Sequence, residues 1–234
     1  MLNLINKYKI ISGNYKNIPF VKKLFLLGRW LSAPYEEIES LCPKKSVILD
    51  VGCSYGLLDL LLVLNSSNRK ILGIDPSTKK IKLAKSTTAK TPRQLIFIRG
   101  SLSEVNISNK FDIILLIDVL YLLPQEEKFK LLLKAKQLLK KNGLIIINNI
   151  DTKPGLFFLF AYFQEYFSVL LTKLTFSLYK KLYFMSQRNY NMLFNRLELK
   201  IFKEVTITKL FLYHYHLVVL KNRSLSPPHA FPPN

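Results

Sequence analysis

The sequence predicts an α/β fold built on a seven-stranded, mostly parallel sheet, closed by an antiparallel C-terminal strand pair and carrying a helical, aromatic-rich lid insertion. Two observations predict it. Short apolar runs alternate with amphipathic helical patterns between residues 47 and 147, which is the signature of strands joined by right-handed crossovers. The first of those runs ends in a turn holding two glycines, Gly52 and Gly56, directly before a leucine-rich helix.

In chain order, Phe20–Leu31 reads as a short basic amphipathic helix, Pro34 interrupts it, and Tyr35–Leu41 gives one or two further helical turns. Val47–Val51 is the first strand and Leu57–Leu64 the helix after the glycine turn. Ile71–Ile74 is the second strand, and Ser77 caps a helix running through Lys85. Leu95–Ile98 is the third strand. Phe111–Ile117 is the fourth, apolar throughout after Asp112 and so expected to be covered on both faces. Gln125–Lys140 spaces leucines helically with lysines opposite, and the turn Lys141-Asn142-Gly143 leads into the fifth strand, Leu144–Ile147. After Pro154 the character changes. Gly155–Met185 is aromatic-rich and expected to be helical, followed by a helix over Ser186–Arg196. Ile201–Ile207 and Leu210–Leu220 form the terminal pair, and the four prolines of Ser226–Asn234 mark a disordered tail. The organisation predicted is an N-terminal helical cap (1–44), one catalytic-type domain (45–225, lid about 154–197) and the tail (226–234).

Composition narrows the classes. The two cysteines, Cys42 and Cys53, cannot make a disulfide framework, so a reducing cytoplasm is expected, and no secretory h-region opens the chain. Lysine and arginine outnumber aspartate and glutamate by 35 to 15, a net charge of +20. Such a field attracts polyanions: an anionic membrane surface at the inner face of the membrane, or nucleic acid. The competing explanation is a lysine-rich composition that merely decorates solvated helix faces. For nucleic acid the charge stands alone, since no RNA-binding module, zinc cluster or arginine-rich arm accompanies it.

The chemistry gathers around Val47–Gly56. A buried strand brings Asp50 to its carboxyl end, the glycines turn the backbone, and the next helix aims its free N–H groups into the crevice where open α/β sheets bind ligands. Asp75 ends the second strand and is placed to accept hydrogen bonds from both hydroxyls of a ribose. Gly52-Cys53-Ser54-Tyr55-Gly56 also fits G-x-S-x-G, the nucleophile elbow of α/β-hydrolases, with Asp118 and His214 or His216 following in order. That reading lacks the strands and oxyanion loop expected before the elbow, and it gives Asp50 and Asp75 no task. A nicotinamide site is disfavoured because the G-x-G-x-x-G spacing is absent.

These residues resemble the class I, Rossmann-like family of S-adenosylmethionine-dependent methyltransferases. Leu49-Asp50-Val51-Gly52-Cys53-Ser54-Tyr55-Gly56 is similar to its first motif, Asp75 to its ribose-binding acid, Phe111–Ile114 with Asp118–Tyr121 to its fourth-strand motif, and Lys141–Leu144 to the turn before its fifth strand. The resemblance implies S-adenosyl-L-methionine as cofactor, held by Asp50, Gly52, Cys53, Ser54, Gly56, Asp75, Pro76, Gly100, Ser101, Asp118 and Val119. Two departures stand out: Ser54 where glycine is usual, expected to be tolerated while its φ stays negative, and Ser101 where an aspartate often meets the adenine. For the acceptor, the expectation is a small, hydrophobic or lipid-like molecule methylated on oxygen or carbon, with RNA methylation or an inactive scaffold as alternatives. Asp151 would orient or deprotonate a hydroxyl unless it caps a helix. His216 would face the pocket unless it sits at the sheet edge. Trp30, Tyr35 and Tyr121 are candidate walls. No metal is expected.

Overall fold

The structure, a computed structural model, describes residues 4–16, 18–87, 93–150, 152, 155, 159, 162–163, 166, 181–209 and 213–222. Seven strands form one sheet: β1 (Ser46–Val51), β2 (Arg69–Asp75), β3 (Leu95–Arg99), β4 (Phe111–Ile117), β5 (Leu139–Ile150), β6 (Leu199–Lys209) and β7 (Tyr213–Asn222). Their order is β3-β2-β1-β4-β5-β7-β6. The first five strands run parallel, while β7 lies antiparallel to both β5 and β6. The chain moves outward from β1 to β3 and then crosses to β4 on the other side. The switch point therefore falls between the carboxyl ends of β1 and β4, where a crevice must open.

Helices α1 (Leu4–Asn14), α2 (Phe20–Ser32) and α3 (Tyr35–Leu41) precede the sheet; α4 (Leu57–Asn65), α5 (Thr78–Thr87) and α6 (Gln125–Leu138) make the crossovers, and α7 (Gln187–Arg196) follows β5. The fourth strand is covered on both faces, with Ile113 to Leu116 all at or below 1% exposure, as its unbroken apolar run requires. Helix α2 buries Leu26, Leu27 and Trp30, the alternate-turn pattern that makes it amphipathic.

Several local readings change. Helix α1 has no counterpart in the sequence pattern. It is held by burial of Ile11 and by Lys7, whose ammonium pairs with Glu36 at 2.7 Å and lies over the Trp30 ring. Helix α6 stops at Leu138, and Leu139 already pairs with Phe111; the residues expected to form a turn at 141–143 are taken up by a register shift before Ile113 meets Leu144. The lysines of α6 are not all on a solvated face either. Lys128 is 1% exposed, its ammonium donating to the Tyr183 carbonyl, and burial lowers its pKa to about 8. In the aromatic insertion, Leu159, Tyr162, Phe163 and Tyr166 are helical, and most of the remaining residues of 155–185 lie outside the described residues, as does the Pro-rich tail. Cys42 and Cys53 are both free and buried.

Candidate functional site

The turn after β1 is built by its own backbone. The N–H groups of Gly52 and Cys53 both donate to the Ile74 carbonyl, at 2.8 and 3.1 Å, and Gly56 N–H donates back to Cys53 at 2.9 Å. Closing so tight a loop drives three consecutive alternate positions into left-handed backbone: Gly52 at φ +82°, Ser54 at +55° and Gly56 at +71°. The condition set for tolerating Ser54, a negative φ, is thus not met. The loop's closure dictates a left-handed residue there, and serine adopts it at a steric cost of order 1 kcal/mol. A Cβ on Gly52 would sit 2.5 Å from Val119 Cγ2, so the β1 and β4 ends approach as closely as only glycine permits.

Asp75 locks onto this turn. Its Oδ2 accepts from Ser54 N–H at 3.1 Å and its Oδ1 from Ser77 N–H at 2.8 Å, and each oxygen has a second lone pair beyond these bonds. Burial raises its pKa, while Lys80 and the two amides oppose the rise. Lys80, itself only 7% exposed, sets its ammonium 5.6 Å above the Tyr55 ring.

At the β4 end, Asp118 also has left-handed backbone, φ +57°. Its Oδ1 accepts from Asn148 Nδ2 at 2.9 Å, its N–H donates to the Asn148 carbonyl at 3.0 Å, and its Oδ2 meets Arg29 Nη2 of α2 at 2.5 Å. A cation and an anion therefore stand side by side at one end of the crevice. Below them Asp50 is pushed up to about 7, by burial first and then by Asp75. The fully buried Asp59 of α4 lies well above the ordinary carboxylate range, through burial and then the charge of Asp50. The two carboxyls can share a hydrogen bond only when one of them carries a proton, and burial together with the charge of Asp50 favours that proton on Asp59.

Asp50, Gly52, Cys53, Ser54, Asp75, Pro76, Gly100, Ser101, Asp118 and Val119 all line one cavity of about 600 Å³. Tyr35 and Tyr121 wall it, together with Phe25, Leu122, Leu123 and Leu131. Trp30 does not reach the cavity. Gly56 also stands behind it, its missing side chain making room for Phe97 Cζ, 2.6 Å from where a Cβ would lie. Sequence reasoning missed Arg29 and Lys80. Each is a single basic residue in a lysine-rich chain, with no local spacing to distinguish it.

His216 is kept apart from this group. Its register opposite Thr206 turns it toward β6, where Nε2 lies 2.6 Å from Glu204, and it does not line the cavity. His214 instead contacts Thr208 at 3.3 Å. Among the described residues no histidine meets Ser54, so the pairing proposed with His214 or His216 is corrected: Ser54 faces the cavity and these two histidines face β6. Asp151 lies outside the described residues. No cluster of metal-ligating side chains occurs among the described residues, and no described helix is long and apolar enough to cross a membrane.

Comparison with known proteins adds a pedigree to this geometry. Residues 43–193 match a family described as a methyltransferase domain. A ubiquinone biosynthesis O-methyltransferase of Bradyrhizobium diazoefficiens is 28% identical over 104 residues, 44% of this chain and 40% of that protein. The protein of the same description from Pelagibacter ubique is 31% identical over 111 residues, 47% of this chain and 44% of its own length. The matched stretch thus spans less than half of each relative. Among solved structures, magnesium protoporphyrin IX methyltransferase from Synechocystis PCC 6803, with bound SAH, superposes with a TM-score of 0.65 at 15% identity, covering 93% of this chain and 94% of that one. At that identity the likeness speaks for the fold.

Proposed function

Because the chain belongs to the methyltransferase-domain family, we propose that it is a class I S-adenosylmethionine-dependent enzyme that methylates an oxygen of a small, largely apolar acceptor. The observation that carries this reading is the convergence of the glycine turn, Asp75 and the Arg29–Asp118 pair on one crevice at the switch point of the sheet.

The residues present suit that cofactor. Asp75, held by two amides yet with lone pairs to spare, is an acceptor for a diol such as a ribose. Arg29 and Asp118 offer opposite charges for the carboxylate and ammonium of an amino-acid end. Gly52, which a Cβ would jam against Val119, gives a backbone floor. Asp50, Asp75 and Asp118 line the cavity beside Arg29, Lys80, Lys130 and Lys134, so acids offset cations there within a chain of net charge +20, which suits a guest carrying both signs of charge. When bound, S-adenosylmethionine supplies a methyl group already activated on a sulfonium. The protein's own share is then to orient the acceptor and exclude water, a contribution of roughly 7–11 kcal/mol when the reacting atoms are held in line.

Phe25, Tyr35, Tyr121 and three leucines present apolar faces to the acceptor side, which supports an apolar partner rather than a sugar or nucleotide. Relatives named as O-methyltransferases support oxygen as the methylated atom. Calorimetry with S-adenosylmethionine tests the reading. Wild-type protein should bind, and Asp75→Ala should bind at least tenfold more weakly, the loss of charge-assisted hydrogen bonds being worth about 1.5–3 kcal/mol. No binding by wild type, or equal binding by both, would overturn it. A screen of lipid extracts for added methyl mass then identifies the acceptor.

A further inference from the structure

We propose that the N-terminal edge of α2, with the lysines around it, docks on an anionic lipid bilayer and sets the cavity against the membrane surface from which an apolar acceptor would arrive. The proposal rests on the apolar-acceptor reading above and adds the partner.

Phe20, Val21 and Leu24 are 65%, 74% and 54% exposed, and their spacing groups them on one side of the first turns of the helix. They are not on a loose end. Leu26, Leu27 and Trp30 anchor the same helix in the core, so the apolar edge is displayed on a fixed support. Leu24 is followed directly by Phe25 and Leu26, and one turn further comes Arg29; all three line the cavity. One short helix therefore carries both the exposed edge and a wall of the cavity.

Charge identifies the partner. The first 35 residues hold six lysines and arginines and no acid. Lys7 and Arg29 are committed to Glu36 and Asp118. Lys9, Lys16 and Lys22 are exposed on α1, the α1–α2 link and the first turn of α2, and these two helices pack together, so the same N-terminal unit carries positive charge and apolar side chains that water would reject. A surface of this kind gains from two sources at once only where acyl chains lie beneath anionic headgroups. Nucleic acid would reward the lysines and leave Val21 and Leu24 unburied. A second copy would bury the apolar edge but bring another chain of +20 against it. Helix α2 has 13 residues, too short for a hydrocarbon core of about 30 Å, so the contact it makes is a surface one.

Flotation with phosphatidylcholine vesicles, with and without phosphatidylglycerol, tests this on the full chain. Wild type should float with the anionic vesicles only, and added salt should weaken the association. The triple variant Phe20→Ser, Val21→Ser, Leu24→Ser and the triple variant Lys9→Glu, Lys16→Glu, Lys22→Glu should each reduce partitioning at least tenfold, while S-adenosylmethionine affinity by calorimetry stays that of wild type. Absence of flotation, equal flotation with neutral vesicles, or partitioning untouched by either variant overturns the docking surface. So does a wild-type dimer in light scattering that the serine variant dissociates, or RNA binding that displaces the vesicles and ignores the serine changes. Normal cofactor binding without flotation sinks the docking alone, whereas loss of cofactor binding in wild type sinks the methyltransferase reading instead.

Discussion

Ser54 and Gly52 sit two residues apart in the same turn, both with positive φ, and substitution should move them in opposite directions. Ser54→Gly removes a left-handed β-carbon and should gain roughly 0.5 kcal/mol, since the relief of 1–2 kcal/mol is partly offset by the looser unfolded chain. Gly52→Ala drives a Cβ to 2.5 Å from Val119 and should lose about 1–3 kcal/mol in denaturant melts, with weaker cofactor binding. A stabilised Gly52→Ala would show that the two strand ends can part. The Asp50–Asp59 pair makes a different kind of claim. With both carboxyl pKa values raised, the folded state holds protons that the unfolded chain has released above its ordinary value of about 4. Stability is therefore greatest at low pH with respect to this pair, and it declines as pH rises toward and through about 7. Asp59→Asn, neutral at every pH and of the same shape, should flatten that decline in melts recorded from pH 5 to 9. An unchanged slope would mean that Asp59 is already ionised.

At the scale of elements, the docking of α3 on the sheet depends on one side chain from the start of β2. Arg69 is fully buried; it donates to Glu39 at 2.8 Å, to the Leu62 carbonyl at 2.9 Å and to the Pro43 carbonyl at 3.1 Å, and also reaches the Cys42 carbonyl. It thereby ties α3, the entry to β1 and the end of α4 together. Arg69→Leu removes these bonds at once, although Glu39, Leu62 and Pro43 keep second donors in Lys44, Ser66 and Ser46, and should cost about 3–5 kcal/mol at roughly 1 kcal/mol per bond. Arg69→Lys should recover little, because an ammonium cannot reproduce the flat five-donor fork. Differential scanning calorimetry reads this as a fall of about 10 °C or more in Tm, and a loss under about 1 kcal/mol would show that α3 is held by its apolar contacts instead. The segment returning from the insertion is secured in a similar way. Tyr183 N–H donates to Tyr121 at 2.7 Å, Lys128 caps the Tyr183 carbonyl, and the Phe184 ring stacks on Tyr121 at 5.2 Å. Since Tyr121 also lines the cavity, the base of the insertion and the wall of the site are one packed unit.

The molecule as a whole combines a strongly positive exterior with a cavity in which aspartates are set against Arg29 and Lys80. The two fields act over different ranges. Surface lysines are screened within about 10 Å at ordinary ionic strength, while the buried carboxylates act at contact on whatever enters. Folding and binding are linked through that cavity, because turn, Asp75 and Asp118 exist as a site only when β1, β2 and β4 are assembled. S-adenosylmethionine at a hundred times its Kd should therefore stabilise the fold by about 2.7 kcal/mol, a rise in Tm of roughly 5–10 °C for a chain of this size. A thermal shift assay checks it. Asp75→Ala should lose most of the rise, and an equal rise in that variant would place the ligand elsewhere.

Local sequence pattern was enough for the order of strands and helices from α2 onward, the buried fourth strand, and the placement of Asp50, Gly52, Asp75 and Asp118 at strand ends. Those features follow from spacing within ten residues or so, which the local backbone reads directly. Tertiary structure decided what no local window contains. Arg29 reaches Asp118 across 89 residues because α2 packs beside the crevice. His216 turns to Glu204 because the β6–β7 register, rather than the alternation along β7 alone, sets what it meets. Lys128 is buried because the chain returning at Tyr183 covers its face of α6. Even the φ of Ser54 belongs here. A residue's neighbours set which backbone wells are open, but the hydrogen bonds of Gly52 and Cys53 to Ile74, on another strand, choose the well it occupies.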